Sequence, residues 1–158
     1  TRLEWSFANF QGACYMLFNP DRNQLRQMYL DAWNRFRQGQ PLEPLQAQIA
    51  AVVQAHPEYH GILDNPDAAL SQDFPPELGQ SNPFLHMGLH LAIRDQVSTD
   101  RPMGIKAAYA RIAAAADTEH DAEHSLLECL AESLWKAHRN GTETDEQEYL
   151  LSIQRKLP

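Results

Sequence analysis

The chain contains few cysteines and no long apolar run. Only Cys14 and Cys129 are cysteines among its 158 residues, and two distant thiols do not form the disulfide framework of a small secreted domain, although a single disulfide between them is compatible with the sequence. The N-terminus lacks the basic and apolar regions of a signal peptide, and no segment approaches the ~18 apolar residues of a spanning helix. We therefore expect a cytoplasmic protein without a membrane partner.

Basic residues are also scarce. The 13 Lys and Arg residues are outnumbered by 21 Asp and Glu residues, and the formal net charge is -8. Because phosphate groups and anionic lipids are bound by clustered cations, we expect no nucleic-acid partner. A glycine-rich phosphate loop is absent as well, so nothing indicates a nucleotide or organic cofactor. A homo-oligomer is compatible with the sequence, and no protein partner is indicated.

Strand-like alternation is absent, whereas helix signals recur. A cap residue followed by proline occurs at Asn19–Pro20 and at Asn82–Pro83, which is typical of helix starts. Pro57 should interrupt a helix near the residue before it. With 43% hydrophobic residues, the chain is long enough for one core. The sequence therefore predicts an all-α, single-domain bundle of about six helices over residues 16–158, with one long ordered loop at about 64–81.

The sequence leads to one prediction for the N-terminal segment and another for the start of the last helix. Residues 1–15 show no helical or alternating period, whereas Met16 opens a segment with clear helix signals. We expect residues 1–15 to be an N-terminal extension or an artificially added segment, and the natural protein to begin at Met16. Near the other end, Thr144 and Gln147 have the spacing of a capping box, which predicts the start of the last helix.

Histidine is the residue whose placement is unusual. The chain has seven histidines, and random placement would give roughly 0.3 pairs at four-residue separation. The sequence instead contains three such pairs, which indicates a shared role: His56 and His60, His86 and His90, and His120 and His124.

The middle pair lies on the most apolar segment of the chain. The helix that begins at Asn82–Pro83 is apolar around its whole axis, so His86 and His90, one turn apart, should point together into the interior. A buried imidazole needs a hydrogen-bonding partner or a metal ion. On a later helix, Glu128 continues the row of His120 and His124 by one more turn.

Imidazoles accompanied by a carboxylate are a typical ligand set for transition metals, and helical bundles bind such ions between facing helices. We expect a divalent transition metal, iron or zinc, with manganese as a further candidate. Metal-activated water or dioxygen chemistry would need a proton acceptor, for which Glu123 and Glu58 are candidates. Whether the protein is an enzyme stays open. The predicted ligands are His86, His90, His120, His124 and Glu128, with His60 and His56 as additions; Glu58 and Asp95 are also candidates for direct or outer-shell contacts.

Two alternatives remain beside the metalloprotein. The histidines could form a buried hydrogen-bonded network in a non-catalytic structural or interaction protein, because backbone carbonyls and carboxylates also satisfy imidazoles. They could also charge together near pH 6 in a pH-responsive module. Metal content separates the first alternative from the metalloprotein, and a change in helicity or oligomeric state on acidification would indicate the second.

Several long motifs carry a resemblance. From Met16 to about Arg155 the chain resembles a bacterial family catalogued as domain of unknown function 1841, which implies kinship and assigns no activity. Asp95 stands where that family's pattern leads us to expect glutamate. The matching motifs are Phe18–Pro20, His56–His60, Asn82–His86 through His90–Ile93, Ala122–His124 through Glu128–Leu130, and Trp135–Gly141.

A looser analogy connects the chain with two kinds of helical metal-binding bundle. Hemerythrin-like proteins hold two irons through His-x-x-x-His and His-x-x-x-Glu spacings, which His86 with His90 and His124 with Glu128 reproduce. DinB-like bundles use a few helix-borne histidines for one divalent metal. The order of the ligands along this chain differs from the hemerythrin pattern, so the analogy concerns the fold.

Overall fold

A computed structural model describes residues 22–74 and 82–158, and these residues form helices and connecting segments without a strand. The all-α prediction is therefore confirmed. The predicted extension at residues 1–15 and the predicted cap at Asn19–Pro20 lie outside the described residues. The helices are α1 (Arg22–Arg37), α2 (Pro44–Gln54), a 3₁₀ turn (Pro57–Tyr59), α3 (His60–Leu63), α4 (Pro66–Ser71), α5 (Pro83–Thr99), α6 (Ile105–Ala115), α7 (Glu119–Asn140) and α8 (Glu146–Gln154).

The number of helices in the described residues exceeds the predicted number of about six because two of them are short. Helix α3 has four residues and α4 has six. Helix α4 lies inside the segment that we predicted as a long loop, and residues 75–81 of that segment lie outside the described residues. Asn65 begins α4 by the same cap-then-proline rule as other helices, since its side chain accepts a hydrogen bond from the Ala68 amide.

Two compact units divide the chain. The first ends at Leu91, and the second comprises Ala92–Pro158, so the division falls within α5. The prediction of a single domain stays a prediction. None of the helices in the described ranges combines the length and apolar character that a membrane span requires.

The first unit contains one buried apolar cluster. Side chains at helical spacing on α1, including Tyr29 and Trp33, belong to the same cluster as Val52 and Val53 of α2. Phe84 and Met87, at the start of α5, are fully buried members of it. This cluster fixes the face that α5 turns toward the interior of the first unit.

A buried arginine accompanies this apolar cluster. Arg26 is only 2% exposed, and its Nη1 donates hydrogen bonds to the carbonyl oxygens of Ala69 and Gln72, at 3.0 and 2.8 Å. The guanidinium also faces the rings of Phe74 and Phe84, at 5.6 and 5.0 Å from their centroids. Burial lowers the pKa of Arg26. The Arg26 side chain, on α1, thus donates hydrogen bonds to carbonyl groups at the C-terminal end of α4.

In the second unit, local signals mark most helix ends. The Thr118 hydroxyl accepts a hydrogen bond from the Asp121 amide and so caps α7. Gly141 ends that helix with a φ of 62°, a left-handed conformation that glycine adopts readily.

The predicted cap of the last helix is wrong by one residue. Asp145, rather than Thr144, is the N-cap of α8, and its carboxylate accepts a hydrogen bond from the Glu148 amide at 3.0 Å. Aspartate caps a helix at least as well as threonine, and its negative charge also interacts favourably with the helix dipole.

A buried hydrogen bond joins two helices of the second unit. The Tyr149 hydroxyl donates to Gln96 Oε1 at 2.6 Å, and burial raises the pKa of Tyr149 well above its usual range, which keeps the phenol protonated. We expect Tyr149→Phe to lower the free energy of unfolding by about 1–2 kcal/mol, because the Gln96 oxygen loses its donor in a buried position. Urea denaturation measures this change.

The part-buried Tyr109 provides the control for this substitution. Tyr109→Phe should change the free energy of unfolding by no more than about 0.5 kcal/mol. If the Tyr149→Phe variant is as stable as the Tyr109→Phe variant, the hydrogen bond to Gln96 does not stabilise the fold as described.

Candidate metal centre

The start of α5 determines where its histidines point. Asn82 Oδ1 accepts hydrogen bonds from the amides of Phe84 and Leu85, at 3.0 and 3.3 Å, and Pro83 is the first helical residue. This cap fixes the first turn, as the sequence predicted. His86 and His90 then follow one turn apart on the same side of the helix.

These two imidazoles contact each other. His86 Nε2 and His90 Nε2 lie 3.2 Å apart, and the rings meet at 66° with their centroids 4.9 Å apart. His90 is 0% exposed, whereas His86 is partly buried. The pair therefore presents two ring nitrogens at one place in the interior of the first unit.

His56 completes a cluster with this pair. It is 0% exposed, and its ring centroid lies 5.0 Å from that of His86 and 4.6 Å from that of His90. One ligand nitrogen from each of the three side chains lies within 4.8 Å of the others. The prediction that histidines gather is confirmed for these three residues, which we call the histidine cluster.

The end of α2 fixes the tautomer of His56. Pro57 stops the helix, and His56 leaves it with non-helical angles of φ -124° and ψ 69°. Its Nδ1 lies 2.8 Å from the carbonyl oxygen of Val52. Because a carbonyl oxygen can only accept, Nδ1 carries the proton and the lone pair is on Nε2.

His60 lies in a different environment from His56, the histidine four residues before it. Its Nε2 donates to the carbonyl oxygen of Val53 at 2.8 Å, and its ring lies 4.5 Å from that of Trp33. Both histidines of this pair thus satisfy carbonyls at the C-terminal end of α2, where the last carbonyls lack helical partners. Glu58, on the intervening 3₁₀ turn, is exposed.

The remaining predicted site residues belong to the second unit. His120 and His124 lie side by side on α7, with ring centroids 4.4 Å apart. Glu128 is exposed and pairs with Lys156. Asp95 is exposed as well.

Glu123 is the one buried carboxylate among the predicted residues. It accepts a hydrogen bond from Arg94 Nε at 2.8 Å. Together with burial, its charge raises the pKa of Tyr109. The carboxylate is therefore held in place by an arginine side chain from α5.

Tyr59 is a residue that sequence reasoning missed. Its ring stacks on His56, with centroids 5.5 Å apart and an interplanar angle of 9°. It also meets His86 edge-on, with centroids 6.0 Å apart. The only signal in the sequence was its position three residues after His56 on a turn that begins at Pro57.

The chemistry of the cluster follows from its donors. All three side chains offer neutral imidazole nitrogen, and among the described residues no Asp, Glu or Cys joins them within the same distance. Neutral nitrogen donors suit zinc, iron and other first-row transition metals, and they bind calcium or magnesium poorly.

The fold and the cluster together define an all-helical protein with a buried group of histidines. The chain belongs to the family described as Domain of unknown function (DUF1841), which matches residues 21–155. This finding confirms the resemblance seen in the motifs. The comparisons with curated proteins and with solved structures found no match.

Proposed function

We propose that this protein is a helical metalloprotein that binds a divalent transition metal, of the zinc or iron class, through His56, His86 and His90. The observation that carries the proposal is the convergence of three imidazoles within 4.8 Å in the interior of one unit. Each buried imidazole needs a hydrogen-bond partner or a metal ion, and a single metal ion binds several imidazole nitrogens at once.

The spacing of the α5 pair supports metal binding. With metal–nitrogen bonds of 2.0–2.1 Å, two ligands of a tetrahedral zinc ion lie about 3.3 Å apart. The observed distance between His86 Nε2 and His90 Nε2 is 3.2 Å. One ion could therefore bind both nitrogens with little movement of either ring.

The hydrogen bond of His56 supports metal binding in a second way. Histidines that bind metals commonly donate their other ring N–H to a carbonyl or carboxylate, which fixes the tautomer and the ring orientation. The carbonyl of Val52 has this role for His56. The nitrogen with the lone pair, Nε2, is then the one available as a ligand.

The other predicted ligands enter the proposal from their sequence spacing. His120, His124 and Glu128 would complete the coordination, and His60 would add a further donor. Glu123 and Glu58 would accept a proton from metal-bound water if the centre is catalytic. Measuring metal content in the single alanine variants assigns each of these residues as a ligand or excludes it.

A buried hydrogen-bonded network is the second candidate. The 3.2 Å contact between His86 and His90 also suits an N–H of one ring donating to the nitrogen of the other. His56 and Val52 would continue such a network. In this case the cluster would stabilise the fold without retaining an ion.

Metal analysis of the protein purified without an affinity tag separates the two candidates. We expect about one transition-metal ion per chain, present on purification or after addition of Zn²⁺ or Fe²⁺ followed by desalting. A content below ~0.2 ions per chain after both treatments would defeat the metalloprotein and leave the network, because a folded site with these ligands retains its ion.

A further inference from the structure

A cavity of about 250 Å³ lies in the first unit, between α1 and the segment that joins α3 to α4. Sites for small molecules usually measure about 300–1,000 Å³, so this volume suits only a small ligand. Along α1 the lining extends from Gln27 to Arg37, which is about 15 Å of helix, so the cavity is elongated. Its floor is apolar, because the lining residues Leu30, Trp33 and Leu63 are buried, whereas its rim is polar.

Trp33 brings a buried hydrogen-bond donor to this cavity. The side chain is 8% exposed, and its Nε1–H has no hydrogen-bond partner among the described residues. The flat faces of the indole contact the rings of Phe36 and His60, at interplanar angles of 16° and 32°, so the edge that carries the N–H is what remains for the cavity. A buried donor without an acceptor is costly, because it has lost its water. A ligand that supplies a carbonyl oxygen removes this cost.

The rim of the cavity carries an unbalanced negative charge. Arg37 and Asp64 form an ion pair, so their charges cancel. Asp31 accepts a hydrogen bond from the neutral side chain of Gln27 at 2.8 Å, and no cation of the described residues pairs with it. A protonated amine on a ligand complements this carboxylate, whereas a carboxylate on a ligand is repelled by it.

We infer that this cavity is a binding site for a small, elongated organic cation that carries a carbonyl oxygen. The carbonyl accepts the indole N–H of Trp33, the apolar middle of the ligand lies on Leu30 and Leu63, and the protonated amine faces Asp31. Monoacylated diamines have these three parts. The site does not require the metal ion, so its test is independent of the proposed function.

Titration of the full chain with N-acetylputrescine, followed by ¹H–¹⁵N NMR spectroscopy, tests the inference. The indole signal of Trp33 is assigned by its loss in Trp33→Phe. We expect saturable binding with a dissociation constant on the order of 1 mM. The indole proton of Trp33 should shift downfield, because its N–H gains an acceptor. 4-Acetamidobutanoate, which has a carboxylate in place of the amine, should bind at least about fivefold more weakly.

Two variants separate the contributions of the donor and of the charge, with binding followed through the backbone amide of Asn34. Trp33→Phe keeps an aromatic ring but removes the N–H, and it should weaken N-acetylputrescine binding about tenfold. Asp31→Asn should weaken it about fivefold. Because Asp31 is exposed, this variant folds even if Trp33→Phe does not. The controls Trp135→Phe and Asp117→Asn change exposed residues of the second unit and should leave the affinity unchanged.

Each contradicting result has its own meaning. The absence of saturable changes up to ~10 mM N-acetylputrescine would defeat the binding site. Binding that leaves the Trp33 indole signal in place, with equal affinity in Trp33→Phe and Trp135→Phe, would defeat the role of the buried N–H. Equal affinity for the two probes, or equal affinity of Asp31→Asn and Asp117→Asn, would defeat the selection of a cation. None of these results depends on the metal content of the protein.

Discussion

Replacement of His90 by alanine is expected to lower the affinity for Zn²⁺ or Co²⁺ by at least about 100-fold. His90 is fully buried and contacts both other members of the histidine cluster. Loss of an outer-shell partner alone typically costs 10–100-fold in metal affinity, so loss of a ligand should cost as much or more. Competition with a chromogenic chelator measures the dissociation constant.

Two further variants show whether this loss is specific. His90→Leu keeps more of the buried volume than His90→Ala, so a metal defect shared by both cannot arise from a cavity alone. His138 is exposed on α7, and His138→Ala should retain wild-type affinity. If His90→Leu folds and binds metal as tightly as the His138→Ala variant, His90 is not a ligand.

Arg26→Met is expected to lower the free energy of unfolding by about 3 kcal/mol. The substitution leaves the buried carbonyl of Ala69 and the part-buried carbonyl of Gln72 without their donor, and an acceptor left unsatisfied in a buried position costs about 1–3 kcal/mol. It also removes the cationic contacts with Phe74 and Phe84. Relief from burying the guanidinium charge offsets part of this loss.

Urea denaturation monitored by circular dichroism measures the effect. Arg22→Met is the matched control, because Arg22 forms a more exposed ion pair with Asp73 on the same helix end. Such a pair contributes at most about 1 kcal/mol. Equal stability of the two variants would show that the hydrogen bonds of Arg26 to the end of α4 do not contribute as described.

The helix boundaries that could be predicted are those set by residues next to them. Asn82 and Pro83 start α5, Thr118 caps α7 and Gly141 ends it, because each effect depends on the conformation of one or two residues. The cap of α8 was misplaced because Thr144 and Asp145 are both good caps. Only the packed structure selects between adjacent capable residues.

The candidate site was predictable to a smaller extent. A spacing of four residues places His86 and His90 together because a regular helix connects them. The same spacing misleads at His56 and His60, because Pro57 interrupts the helix and each ring then donates to a different carbonyl. Tyr59 was not recognised because its relation to the cluster depends on the turn that follows this break.

Arg26 could not be predicted as a buried residue. On its own helix it resembles any surface arginine, and its acceptors lie more than forty residues away on α4. Whether a long polar side chain is buried depends on acceptors supplied by distant segments, and a single sequence does not reveal them.

The position of His56 just after α2 and of His90 on α5 has a consequence for folding. An ion bound to both would close a loop of roughly 35 residues, as a covalent cross-link does, and in the chain-entropy treatment such a closure is equivalent to about 4 kcal/mol. The ion would thereby act as a reversible cross-link in a chain that has only two cysteines. A chelator could remove this cross-link, and added metal ion could restore it. The same three side chains would then serve both the stability of the first unit and its chemistry.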